Sequence, residues 1–355
     1  MWYYLSFVFL SVLLVSQVSK KRLGLAFFII VSIISALSFF VDPNETWDLF
    51  RHYQSIELYG DMGLDWILAN RLDDNPLTSL YLYCFSYLSD PRFFVFCTIF
   101  ITYGFTFKLL FEITKDYNLG RKSIAWITLY LLSNWNYLLV VSNCRIFMLY
   151  AIIAYLFYME LVKDKYHVLS LVVYIAACFF HYGIVIVLIA RLVLYTHKFI
   201  KSDVALIIIS IILFSSYSYI LPLLGSNTLI NTIEEKIIAY QEYKVFGTLQ
   251  YISSLANILL VAVIFAYSHW KEANKTGFSL ISIISIFIIF LQITNYQIII
   301  RETCLLASFV IVPAASLFTN NYPRNLITLF KLESIAILVY RCWYEYALLN
   351  YTFVF

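Results

Sequence analysis

In the segment Asp42-Pro-Asn-Glu-Thr-Trp-Asp-Leu-Phe-Arg-His-Tyr-Gln54, the residues Asp48, Arg51, His52 and Ser55 fall at i, i+3, i+4 and i+7. On a helix this spacing gathers a carboxylate, a permanent cation and an imidazole on one face, with Trp47, Phe50 and Leu58 directed elsewhere. Such a set can hold an anion and can accept or deliver a proton. The plainer alternative is a solvated, ion-paired surface helix.

Asn143 and Arg145 interrupt an apolar stretch that runs from 123 to 161. A turn at Ser142-Asn143 makes Arg145 the start of the next helix, whereas a turn at Ser133-Asn134-Trp135-Asn136 puts it two turns deeper. Within a membrane an arginine costs roughly a few kcal/mol unless it faces protein, water or an anion, the alternative being a snorkelling side chain. Arg301, with Glu302 beside it, follows the apolar run Tyr296-Gln-Ile-Ile-Ile300 and reads either as an anion ligand or as a rim charge paired with its neighbour. His181, within Phe179-Phe180-His181-Tyr182-Gly183, has apolar sequence on both sides and reads equally as a structural or a functional imidazole. Arg191, close to His197-Lys198, is expected to snorkel toward that cluster. Arg341 and Glu345, at i and i+4, are expected to neutralise one another.

The sequence contains no HExxH, no paired HxxxH, no CxxC and no carboxylate cluster with metal-ligand spacing. It has no GxxxxGK[ST] or GxGxxG either, so no metal, nucleotide or other cofactor is expected. Arginines gathered at one membrane face suit a lipid-linked phosphate or pyrophosphate, because guanidinium forks bind phosphate oxygens in pairs and stay charged at any working pH. A pyrophosphate leaving group gains negative charge as its bond to a sugar breaks, and fixed cations stabilise that transition state without a metal. A carboxylate or imidazole can take the proton from an attacking sugar hydroxyl. Glycosyl transfer from a lipid-linked donor uses all of these parts.

The elements that would position them follow from composition. The chain has 355 residues, 62% of them apolar and 13% charged, against roughly 45–50% and about 25% in a soluble domain. An ordinary water-soluble enzyme is excluded on these values. The 24 Lys and Arg and 21 Asp and Glu stand in short islands between apolar runs, and net charge is only +3, so nothing points to nucleic acid. The expected spans lie near 1–17, 22–41, 92–111, 124–141, 145–161, 167–181, 183–196, 203–224, 250–268, 278–299, 302–318 and 332–350, giving a single all-α membrane domain over 1–355. The first run lacks a basic residue before it and has Lys20-Lys21-Arg22 after it, which fits a first span that starts outside and not a cleaved signal. With that orientation the cytoplasmic loops collect 16 of the 24 cations, from Lys20-Lys21-Arg22 through Lys163 and Lys165 to Arg324 and Lys331.

Two outer segments result, 42–91 and 225–249. In the first, Asp42 reads as an N-cap, Pro43 as the first helical residue, Glu45 as the capping-box acid and Gly60 as the stop. Residues 76–89 are apolar but make only about 21 Å of helix, so a re-entrant or interfacial helix is expected. Two short helices turning at His181-Tyr182-Gly183 are preferred over one span for 167–196, since both flanking basic clusters then stay inside. The six cysteines, Cys84, Cys97, Cys144, Cys178, Cys304 and Cys342, are expected to be free packing residues.

The segment Asp48-Leu-Phe-Arg51-His52-Tyr53, the Asn143-Cys-Arg145 entry, Phe180-His181-Tyr182-Gly183 and Arg301 occur in an order that resembles the Wzy-type polysaccharide polymerases of the EpsG-like branch. The resemblance runs from about residue 40 to residue 305. It implies a multi-pass enzyme of the bacterial cytoplasmic membrane, with a GT-C-like fold and its active site on the outer face. Such an enzyme transfers a growing glycan from undecaprenyl pyrophosphate to the non-reducing end of a lipid-linked repeat unit, making O-antigen, capsule or exopolysaccharide. Donor, acceptor and membrane lipid are the implied partners, with a flippase and a chain-length regulator nearby. Arg51, Arg145 and Arg301 would hold pyrophosphate, supported by Asn143 and Tyr53. Asp48 would be the base, with His52 or His181 the second choice. The segment 225–249 holds Glu234, Glu235, Lys236, Glu242 and Lys244 but no arginine, a departure from the arginine-containing outer loops of that family. A transporter of polysaccharide or lipid-linked oligosaccharide and a membrane O-acyltransferase of polysaccharides are the alternatives from other classes.

Overall fold

A computed structural model describes residues 2–43, 45, 48–70, 75–135, 137–181, 184, 188, 191, 263, 298–319 and 323–349. The expected span 203–224, all of 250–268 but residue 263, all of 278–299 but its last two residues, nearly all of 183–196, and the outer segment 225–249 lie outside these residues. So do the side chains of Arg301, Arg341 and Glu345.

The described chain is helical, with no β-strand among the described residues. We number the described helices α1 (Trp2–Gln17), α2 (Leu23–Phe39), α3 (Asp48–Asn70), α4 (Pro76–Ser86), α5 (Arg92–Asp116), α6 (Arg121–Asn134), α7 (Tyr137–Ser142), α8 (Cys144–Phe157), α9 (His167–Phe180), α10 (Ile298–Thr319) and α11 (Arg324–Leu349). Three stretches, Lys20–Phe39, Arg92–Asp116 and Cys144–Val162, are long and apolar enough to cross a membrane. The last of these continues α8 through a π-helical turn at Tyr158–Val162.

Two compact units are present. The first comprises Met1–Leu68, Ser79–Leu156 and Ala307–Phe355; the second comprises Ala69–Thr78 and Phe157–Leu306. In the first, α2 packs along α5, α1 along α6, and α6 along α11. The α2–α5 seam joins Phe27 to Phe107, 5.0 Å between ring centroids, with buried Ser35, Ser38, Thr98, Thr102 and Thr106. Each of these hydroxyls donates to a carbonyl three or four residues back, so the polar atoms are satisfied within their own helices.

The expected span 124–141 is broken. Helix α6 ends at Asn134 and α7 starts at Tyr137, with Trp135 in a non-helical conformation and its indole fully buried. A break inside an apolar bundle frees backbone carbonyls that must find donors. Here Tyr4 of α1 supplies one hydroxyl to Leu132 O at 2.6 Å and Trp135 O at 3.3 Å, and stacks on Tyr137 at 5.3 Å.

The expected cap at Asp42 and stop at Gly60 are corrected. Asp42 and Pro43 are not helical; α3 begins at Asp48 and runs past Gly60 to Asn70. Its inner stripe, Leu49, His52, Ile56, Tyr59 and Ile67, supplies burial on both sides of Gly60, which holds the helix together there. A Cβ on Gly60 would stand 3.4 Å from Ser86 Cβ, so this glycine marks close approach to the end of α4 and not a terminus. The real interruption is Gly63, at φ 79° and ψ 172°. Only glycine adopts that conformation without strain, so Gly63→Ala should destabilise the protein by about 1–3 kcal/mol. A thermal melt in detergent measures this, and an unchanged melting temperature contradicts it.

The ends of the first unit are chemically distinct. At one, Lys20 Nζ donates to Asn118 Oδ1 at 2.6 Å and Arg121 Nη1 to Gln17 O at 3.4 Å, which ties together two of the loops expected inside. At the other end of α2 and α5, Phe39 meets Phe93 at 5.3 Å and carries the Arg92 guanidinium on its face at 4.7 Å.

Candidate functional site

Arg51 donates to Asp48 Oδ1 across one turn of α3, and Ser55 Oγ donates to Arg51 O at 2.9 Å. Arg145 is the second residue of α8, half-buried, and lies within electrostatic reach of Asp48, Arg51 and Tyr59. The chain thus brings together three charges separated by up to 97 positions in sequence, one acid against two guanidiniums. The surplus is positive and lies at the start of a membrane-length helix. Both proposed turns in 123–161 exist, one at Trp135 and one at Asn143, and the second decides that Arg145 opens the next helix.

Asn143 works in that turn. Its side-chain amide donates to Ser142 Oγ at 2.7 Å, and its backbone N–H donates to Leu139 O at 3.0 Å. It shapes the entry that presents Arg145.

His52 is placed differently from Asp48 and Arg51. It belongs to the inner stripe of α3, is 6% exposed, and its ring meets Phe94 edge-on at 5.6 Å. The spacing rule places it near the edge of the charged face, and the neighbouring stripe of Leu49, Ile56 and Tyr59 carries it inward. Tyr53 is half-buried, with a hydroxyl that is fully buried and has no hydrogen-bond partner in the described structure. Burial pushes its phenol well above the ordinary tyrosine range, and the charges within reach are Asp90, Arg92 and Asp42.

His181 and Arg301 belong to the second unit. His181 closes α9 in an extended conformation, its N–H donating to Ala177 O at 2.9 Å. The neighbouring Phe180 carbonyl accepts from Thr78 Oγ1 at 2.6 Å. Arg301 lies in the first turn of α10, with its backbone helical.

Two further ion pairs lie outside the residues expected from sequence to form a site. Asp90 and Arg92 flank Pro91 at the entry to α5: Arg92 Nε lies 2.9 Å and Nη2 2.6 Å from Asp90 Oδ2, while the backbone N–H of Arg92 caps Oδ1 at 2.8 Å. The Arg92 hydrogen bonds hold the Asp90 carboxyl below the usual carboxylate range. In the second unit, Arg191 forks onto Glu160 instead of snorkelling, because a buried carboxylate is within reach of its guanidinium. No comparison, whether with protein-family models, curated proteins or solved structures, finds a match for this chain.

Arg51 is exposed and Asp48 partly so, which makes their bond a surface ion pair of about 0–1 kcal/mol. Asp48→Asn should leave the unfolding free energy within about 1 kcal/mol of the parent, a value that chemical denaturation in detergent can check. A larger loss would mean that the pair holds the fold as well as a ligand.

Proposed function

We propose that this is a membrane glycosyltransferase that polymerises a bacterial surface polysaccharide from polyprenyl-pyrophosphate-linked units, at the outer face of the cytoplasmic membrane, with about twelve spans in a GT-C-like arrangement. The gathering of Asp48, Arg51 and Arg145 at the mouth of a membrane-length helix carries the reading. A net positive pair of guanidiniums there suits a diphosphate whose lipid tail lies in the bilayer. The proposed roles of His181 and Arg301, which belong to the second unit, rest on the sequence resemblance alone.

In the proposed reaction the acceptor hydroxyl oxygen attacks the anomeric carbon of the donor. The bond from that carbon to the pyrophosphate oxygen breaks, and its electron pair leaves with the diphosphate. Arg51 and Arg145 take up the charge that accumulates there. The acceptor proton passes to Asp48. In the free enzyme Asp48 is engaged by Arg51, so a diphosphate drawing Arg51 away also frees the carboxylate to act as base. Substrate binding thereby switches on its own base.

The direct test is release of polyprenyl pyrophosphate by the purified protein from a lipid-linked oligosaccharide, together with glycans longer than one unit. Transport or acyl transfer alone would give neither product.

A further inference from the structure

We propose that Glu333 is a proton-binding site, a carboxyl group that carries its proton in the folded protein at the seam of α6 and α11. The proposal is independent of the glycosyltransferase reading and of the residues around Arg145. Glu333 stands at the start of the expected span 332–350, and both of its carboxyl oxygens are buried with no hydrogen-bond partner among the described residues. Glu160, by contrast, buries its carboxylate against the Arg191 guanidinium and the Tyr174 hydroxyl. An acid that reaches the interior without such partners needs another means of losing its charge.

Helix packing fixes what surrounds the carboxyl. Phe330, one turn before Glu333, stacks on Tyr130 of α6 at 4.8 Å and meets Phe318 of α10 edge-on at 5.9 Å. Tyr130 is fully buried, and its hydroxyl also lacks a hydrogen-bond partner among the described residues. The Ser334 hydroxyl is engaged, donating to Phe330 O at 2.7 Å. Lys331 stands on another side of α11, and its ammonium lies over the Trp126 ring at 5.3 Å. The remaining titratable groups of α11 are farther along the helix, with Arg324 more than two turns before Glu333, Tyr340 about two turns after it, and Arg341 and Glu345 beyond. On α6, Arg121 and Lys122 come more than two turns before Tyr130, and α10 has no titratable residue between Ala307 and Thr319.

These surroundings decide between the two forms of the carboxyl. A carboxylate is a full charge with about four acceptor positions. At this seam it would meet one phenol and no cationic partner among the described residues. A carboxylic acid has no charge, and its one O–H donor and one carbonyl acceptor can be answered by a phenol, which both donates and accepts. Burying an unpaired carboxylate costs far more than burying the neutral acid, so the proton stays. A proton adds no volume, and a closed seam is therefore no obstacle to its binding. Ionisable residues at such positions in membrane helices are rare and mark proton sites more often than packing.

The test is infrared difference spectroscopy of the full chain in lipid nanodiscs at neutral pH, parent against Glu333→Gln. The parent should show a carboxylic-acid carbonyl band that shifts in deuterium oxide, as an exchangeable proton requires, and the band should be lost in Glu333→Gln. Glutamine is neutral and of similar volume, so this variant should melt within about 5 °C of the parent. Should it fail to fold, Glu333→Asp keeps the carboxyl, should displace the band, and carries the assignment instead. No acid band in the parent, a band that persists in folded Glu333→Gln, or a band that Glu333→Asp leaves in place overturns the site. A folded Glu333→Gln that melts lower by more than about 5 °C overturns it as well, because that loss marks a charged glutamate whose removal strands a cation.

Discussion

On the proposed polymerase reading, Arg145→Ala should reduce polymerisation by about 100- to 1000-fold, the cost of removing one charge-stabilising donor from a transition state. Cells carrying it should accumulate single lipid-linked repeat units in place of long polymer, as seen by gel analysis of extracted glycolipids. The effect is large because Arg51 is bonded to Asp48 before substrate binds, so Arg145 supplies the positive surplus that first draws the diphosphate in. Arg145→Lys separates charge from geometry. If the site needs only a cation, lysine restores most activity; if it needs the paired hydrogen bonds of a guanidinium to phosphate oxygens, lysine remains far below the parent. Normal polymer length in Arg145→Ala cells would remove the pyrophosphate-binding assignment altogether. Stability must be checked alongside, since a half-buried arginine also packs.

Why some of this was legible from sequence and some was not follows from the range of each interaction. Apolar run length set the helices, and α1, α2, α5 and α9 fall close to the expected spans 1–17, 22–41, 92–111 and 167–181. The i, i+3 spacing set the Asp48–Arg51 bond, which needs only one helical turn. Helix ends were harder. The cap expected at Asp42 yields to a start at Asp48, next to Leu49, where the buried stripe of α3 begins. His52 lies between two faces of its helix, and spacing does not determine which face a tertiary neighbour such as Phe94 claims. The break at Trp135 depends on a hydroxyl 131 residues away, and no local pattern announces such a partner. The Asp90–Arg92 fork was readable in principle, as an acid and an arginine flanking a proline just before an apolar run.

Glu160 gives the largest expected effect on stability. Its side chain is 1% exposed and stands in the π-helical turn that ends the Cys144–Val162 stretch. It accepts from Arg191 Nε at 2.9 Å and from Nη2, from the Tyr174 hydroxyl at 3.3 Å, and stands 3.4 Å from His167 Nδ1. The opposite side of the His167 ring meets Asp164 at 2.8 Å, with Asp164 at φ 55°. Removing one member of a buried pair leaves the other charge without compensation, so Glu160→Ala should lower stability by about 3–5 kcal/mol. The readout is thermal unfolding in detergent. Replacing both partners, Glu160→Met with Arg191→Met, removes the stranded charge and should recover most of the loss, because an apolar pair of similar volume often matches a buried ion pair. His167→Ala, removing a half-exposed ring, should shift stability by no more than about 1 kcal/mol. The single variant falling much further than the double one is the signature of a stranded arginine. Equal losses in the two would mean that Glu160 and Arg191 stabilise the second unit by packing and not as a pair.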